Sequence, residues 1–162
     1  MGNLRTMGIT IRVACPDDRD VLIAFVRRIQ DAERAMHPSR LPGEEVAEAY
    51  FDALVARPAE MLVAEDRGRP VGFVAGWLDE DDDPLQTREW RRHGLISDLF
   101  VAADHRGEGV AQLLLGAMAD RLRELGAGRL RICAVAPNDS AIAAYRRFGF
   151  EPFEITFDKP LG

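Results

Sequence analysis

Residues 99–115 run from an apolar strand, through a short loop with two glycines, straight into an amphipathic helix. The loop reads Arg106-Gly107-Glu108-Gly109 and the helix opens with Val110-Ala111-Gln112. A chain of this kind builds an anion cradle. Glycine lets the backbone come close to a ligand, and the first N–H groups of a helix have no partner inside it. The helix dipole adds about half a positive charge at the same end. A phosphate or pyrophosphate is the natural guest.

The 162 residues suit one domain with a core of ordinary size. With 47% hydrophobic and 30% charged residues, the composition is globular. A net charge of −6 argues against a broad nucleic-acid surface and favours a cationic partner over an anionic polymer. No apolar run reaches the roughly 18 residues of a membrane span, so no membrane partner is expected. Cys15 and Cys133 sit in strand-like segments without metal-ligand spacing. No metal and a reducing, cytoplasmic setting are therefore expected. Residues 1–8 read as a disordered leader and residues 9–162 as a single domain.

Along the chain, residues 9–14 alternate as a half-buried strand does. Pro16-Asp17-Asp18 opens a helix with the stripe Leu22, Phe25, Val26 and Ile29. A second helix carries Val46, Ala49, Tyr50, Ala53 and Leu54 on one face. Residues 60–65 and 70–78, about a glycine-containing turn, read as a β-hairpin. Residues 79–92 read as a polar loop and 94–102 as the strand feeding the glycine loop. The glycine-loop helix ends at Gly126 and Gly128. A strand over 129–135, a short helix capped by Asn138-Asp139-Ser140 and a last strand over 151–157 complete the order β-α-α-β-β-β-α-β-α-β. The economical solution is α/β (α+β): one mixed central β-sheet with helices on both faces.

Two segments together resemble one family. Leu99-Phe100-Val101 followed by Arg106-Gly107-Glu108-Gly109-Val110-Ala111 is similar to the acyl-CoA signature of the GNAT superfamily of N-acetyltransferases. Asn138, Tyr145 and Phe148-Gly149-Phe150 resemble its second signature, and the element order matches from about residue 9 to 157. The resemblance implies acetyl-CoA as co-substrate, held where two parallel strands splay apart. The backbone of Leu99, Phe100 and Val101 would pair with the pantetheine arm. The amides of residues 107–112, Gly107, Glu108, Gly109, Val110, Ala111 and Gln112, would hold the pyrophosphate, with Arg106 at the entrance. Asn138 would bond near the pantetheine, and Tyr145 would stand by the sulfur as general acid. The implied reaction is direct acetyl transfer to a primary amine of a small molecule or peptide, the acceptor being cationic by the chain's charge. Homodimers are common in the family.

Each assignment has a plainer counterpart. Tyr145 also fits a packed core tyrosine, Asn138 a helix cap, Arg106 a solvated loop arginine, and Cys133 a small core residue. The general base stays open between Asp98 and a water chain. Strict alternation groups Asp98 with Ile96 and Phe100, and Ser97 with Leu99 and Val101; a bulge, frequent in the family, would change that parity. The acid run over residues 79–83 either attracts a cationic acceptor or solvates a loop. Glu33, His37, Tyr50 and Trp77 lie on elements that line the acceptor side in the family. His93 and His105 read as loop residues. A non-catalytic acyl-CoA-binding module is the second reading. A dinucleotide site is the third and weakest, because Gly107 and Gly109 are followed by Gln112 instead of a third glycine.

Overall fold

The alternating N-terminal segment forms β1 (Ile9–Val13), which pairs antiparallel with β2 (Glu60–Asp66). β2 turns at Arg67-Gly68 into β3 (Arg69–Glu80), which pairs antiparallel with β4 (Arg92–Val101). β5 (Leu130–Ile132) lies parallel to β4 and closes the order β1-β2-β3-β4-β5. The computed structural model describes residues 8–161. Of the expected leader only Gly8 falls among them; the rest lies outside the described residues.

Helices cover both faces of this mixed sheet. A one-turn 3-10 helix, Pro16–Asp18, leads into α1 (Arg19–Met36). The Asp18 carboxylate fixes that start: it accepts from the Cys15 backbone N–H at 2.8 Å and from the Arg12 guanidinium at 2.7 and 2.8 Å. α1 and α2 (Gly43–Val55) bury Leu22, Phe25, Phe51 and Leu54 against Phe73 and Phe100. The Phe25 and Phe100 rings stack at 4.5 Å. On the opposite face α4 (Val110–Glu124) buries Leu114, Leu115, Met118 and Leu122 on Val71, Val74 and Ile96. Truncating one such core leucine to alanine costs about 2–5 kcal/mol. α3 (Arg88–Arg91) is a single turn before β4, and α5 (Asp139–Phe148) packs beside α4. No described helix is long and apolar enough to cross a membrane.

Four expectations are corrected. Residues 151–157 form no strand, although Phe153, Ile155 and Phe157 alternate with polar residues. Pro152 has no N–H to give a ladder, and Phe153 stacks on Trp90 at 5.9 Å instead. Phe157 is left 90% exposed. β5 stops at Ile132, short of Val135. The polar loop is shorter than expected, because β3 runs to Glu80 and β4 begins at Arg92. Within it Asp81 pairs with Arg131 at 2.8 Å and Asp83 accepts from the Leu85 N–H, so these acids have structural partners. His93 and His105 are both buried: His93 inside β4, donating from Nδ1 to the Arg91 carbonyl, and His105 between Asp66 and Asp104.

Candidate active site

The site begins with one irregularity in β4. Ala75 pairs with Asp98 but Gly76 pairs with Ile96, so Ser97 is an extra residue with no opposite number. A bulge of this kind reverses which face each later residue takes. Ile96 therefore packs with the α4 core, whereas Asp98 and Phe100 turn toward α1 and α2. Strict alternation would have put Ile96 and Asp98 on one face.

Directly after the bulge the sheet opens. The parallel ladder of β4 and β5 ends at Ile96 opposite Ile132. Beyond it residues 97–101 and Cys133-Ala134 line a cavity of about 400 Å³. The Ala102 N–H donates to the Val71 carbonyl at 2.8 Å. By the alternation of an antiparallel ladder, Leu99 and Val101 then turn their N–H and C=O groups away from β3 and into the opening. Phe100 turns its backbone toward β3 and its ring into the core. The backbone edge left open beside the cavity is therefore that of Leu99 and Val101.

At the far end of the cavity the chain passes a 3-10 turn, Ala103–His105, and enters the glycine loop. Gly107 has φ +76° and Gly109 φ +87°, left-handed conformations that a side chain would strain. Gly109 is the N-cap of α4 and has no side chain with which to cap it. The first amides of the helix, from Val110 to Gln112, are left to the cavity that these residues line. Gln112 also ties α4 to α5 by donating to the Ala144 carbonyl at 3.0 Å. Arg106 lies across the strand end, its Nε donating to the Val101 carbonyl at 3.0 Å. Glu108 belongs to the loop but does not line the cavity.

α5 supplies the remaining wall. Asn138 caps it, its Oδ1 accepting from the Ala141 N–H at 3.1 Å and the Ser140 hydroxyl at 3.0 Å. The capping role and a place in the cavity wall coexist. Tyr145 lines the same cavity and meets the edge of Phe150 at 6.1 Å. Burial pushes its pKa up to about 12, and the charges of Glu33, Cys133 and Asp98 act in the same direction. The phenol is therefore protonated throughout the neutral range.

A second cavity, of about 500 Å³, opens between α1, α2 and the end of β5. The two cavities share Ile29, Glu33, Ser97, Asp98, Cys133 and Ala134, which mark where they meet. Asp98 is only 7% exposed there. Its Oδ2 accepts from the Tyr50 hydroxyl at 2.8 Å and from the Ser97 hydroxyl at 2.6 Å. Burial raises its pKa, and these two hydrogen bonds oppose the rise. Glu33 pairs with Arg40 at 3.0 Å on the same wall. Cys133 is exposed in both cavities, not packed in the core. Of the other acceptor-side candidates, His37 bonds Ser39 at 2.7 Å and Trp77 carries the Arg57 guanidinium 5.0 Å above its ring; neither lines these two cavities. The Tyr50–Asp98 bond was not readable in the sequence, which separates its partners by 48 residues.

The sequence matches the acetyltransferase (GNAT) family over residues 26–150, a stretch that holds every cleft residue described above. The chain belongs to the GNAT family. An uncharacterised N-acetyltransferase of Methanocaldococcus jannaschii is 30% identical over 147 residues, covering 90% of this chain and 62% of that protein. The chain spans 32% to 65% of the length of the curated relatives it matches. Among solved structures, a mutant of a Bacillus halodurans protein superposes with TM-score 0.83 at 22% identity, covering 94% of this chain and 99% of that one. An aminoglycoside N-acetyltransferase in complex with CoA superposes with TM-score 0.71 at 16% identity, covering 95% of each chain. These structures share the GNAT fold with the chain.

Proposed function

We propose that the chain transfers the acetyl group of acetyl-CoA to a primary amine of a small molecule or peptide by direct attack. The observation that carries this reading is the open edge of Leu99 and Val101, which leads from the bulge at Ser97 to the uncapped start of α4. An extended arm ending in a pyrophosphate fits that shape and chemistry. Leu99 and Val101 would bond the arm, residues 107–112 and Arg106 the pyrophosphate, and Asn138 the arm's amides. The neighbouring fold in complex with CoA supports the same donor. When bound, acetyl-CoA supplies the activated acyl carbon and a thiolate leaving group.

The chain's own groups supply the rest. Asp98 takes the proton that an acceptor ammonium must lose before its nitrogen can attack. The Val101 N–H, turned into the cleft, donates to the oxygen on which charge develops. Tyr145 holds a proton for the departing sulfur, whose thiol has an ordinary pKa of about 8.5. The same burial that raises the phenol raises a thiolate beside it, which narrows the gap between them. The second cavity receives the acceptor. Its carboxylates, Glu33 and Asp98, outnumber its single guanidinium, Arg40, and favour an amine that arrives charged. The two exposed thiols, Cys15 and Cys133, suit a reducing, cytoplasmic compartment.

Thiol release from acetyl-CoA over a panel of amines, with wild type beside Tyr145→Phe, tests this reading. Turnover on at least one amine that drops about 100-fold or more in the variant is expected. Equal turnover in both removes Tyr145 from the acid role. Tight CoA binding with no turnover on any amine would mark an acyl-CoA-binding module instead.

A further inference from the structure

We infer that Tyr50 and Ser97 are positioning residues that aim Asp98, by pinning its Oδ2 and leaving Oδ1 to receive the acceptor's proton. This rests on the reading of Asp98 as the general base. Three parts of the fold converge on one oxygen. α2 brings the Tyr50 hydroxyl to 2.8 Å, the bulge brings the Ser97 hydroxyl to 2.6 Å, and β4 carries the carboxylate. A carboxylate turns easily about its last bond, so its two oxygens are equivalent until something distinguishes them. Two donors on the same oxygen do so. The pinned oxygen is saturated with protons from neighbours, and the other is the basic one.

The surroundings make these two donors matter. The groups facing this junction are Glu33 from α1, Arg40 from the loop after it, Tyr50 from α2, Cys133 beyond β5 and Tyr145 from α5, with the Arg57 charge, just past the end of α2, acting on Tyr50. From β3 the Ala75 carbonyl lies 3.4 Å from the Ser97 hydroxyl. Among the described residues no arginine, lysine or histidine forms an ion pair with Asp98. Burial disfavours the charged carboxylate, and neutral hydroxyl donors are what oppose it. Tyr50 itself stays protonated, because burial and the Asp98 charge both raise its pKa. It is therefore a donor across the working range. Tyr50 is also 39% exposed, so losing its hydroxyl leaves the core intact.

The test is the pH profile of kcat/KM for wild type, Tyr50→Phe, Ser97→Ala, Ser97→Thr and Asp98→Asn, on whichever amine turns over. Each lost donor is expected to move the acidic limb up by about one pH unit, since hydrogen bonds to the charged form hold its pKa down. Below that limb kcat/KM should fall about tenfold, with CoA affinity unchanged. Ser97→Thr keeps a hydroxyl and should keep the wild-type limb. A structural role alone would change melting temperature or KM without moving the limb. If Asp98→Asn is inactive but Tyr50→Phe and Ser97→Ala keep the wild-type limb, the positioning role is overturned and the base survives. If Asp98→Asn is as active as wild type, the base reading falls and this inference with it.

Discussion

Ile96 and Asp98 stand two positions apart on β4 and face opposite sides of the sheet. The extra residue between them, Ser97, reverses the pleat. Before it, β4 belongs to the apolar core under α4. After it, the strand turns an acid toward α1 and α2 and an open backbone edge toward the cleft.

That reversal gives the first prediction. Asp98→Asn keeps the shape of the side chain and removes the base. Turnover should fall by about 10²- to 10⁴-fold, while CoA affinity should be unchanged. Steady-state kinetics beside a CoA titration would check both halves. A variant that loses CoA affinity in proportion to turnover would mean Asp98 supports the donor cleft instead.

The glycine loop gives the second. A Cβ at Gly107 would meet nothing within 4 Å, so Gly107→Ala acts through its left-handed backbone alone. It should cost about 1 kcal/mol and lower the melting temperature by about 2–4 °C. CoA affinity should fall as well, because the loop amides lose their geometry. Calorimetric melting and CoA titration of the same variant separate the two effects.

The third concerns acid stability. Arg12 holds the Asp18 carboxyl well below the ordinary carboxylate range, through the paired hydrogen bonds that also fix the start of α1. A depressed carboxyl contributes stability that is complete above its unfolded value, about 3.9, and is lost as pH falls below it. Asp18→Asn should cost about 1–3 kcal/mol at pH 7. The difference from wild type should shrink below pH 4, as urea unfolding at several pH values would show.

His105 runs the opposite way. The neighbouring carboxylates of Asp104 and Asp66 raise its pKa against the opposing effect of burial. A raised imidazolium contributes stability that is complete below the unfolded value, about 6.5, and is lost as pH rises through the folded one. Wild type should therefore lose stability on the alkaline side, and His105→Gln should show a flatter profile there. Equal slopes between pH 6 and 9 would contradict the assignment.

The parts of the fold that are local in sequence were legible. The loop Arg106-Gly107-Glu108-Gly109 needs its glycines where φ is positive, and Asn138 caps α5 three residues before the amide it bonds. Tyr145 was assigned to the cleft through the family resemblance, since its own helix shows it only as a residue of the apolar stripe. What escaped depended on distant partners. A bulge in this strand was suggested by the family resemblance alone; its position at Ser97 appears only in the register against Ala75 and Gly76. Tyr50 read as a stripe residue of α2, since nothing near it points to β4. Residues 151–157 have the alternation of a strand, but a strand also needs an edge to pair with, and β5 ends at Ile132.

Ligand-dependent melting tests most directly whether the opening between β4 and β5, which runs to the start of α4, is a CoA site. Acetyl-CoA at a hundred times its dissociation constant should stabilise the folded chain by about 2.7 kcal/mol, with NAD and ATP leaving the melting temperature unchanged. Stabilisation by NAD or ATP, and none by acetyl-CoA, would contradict that assignment.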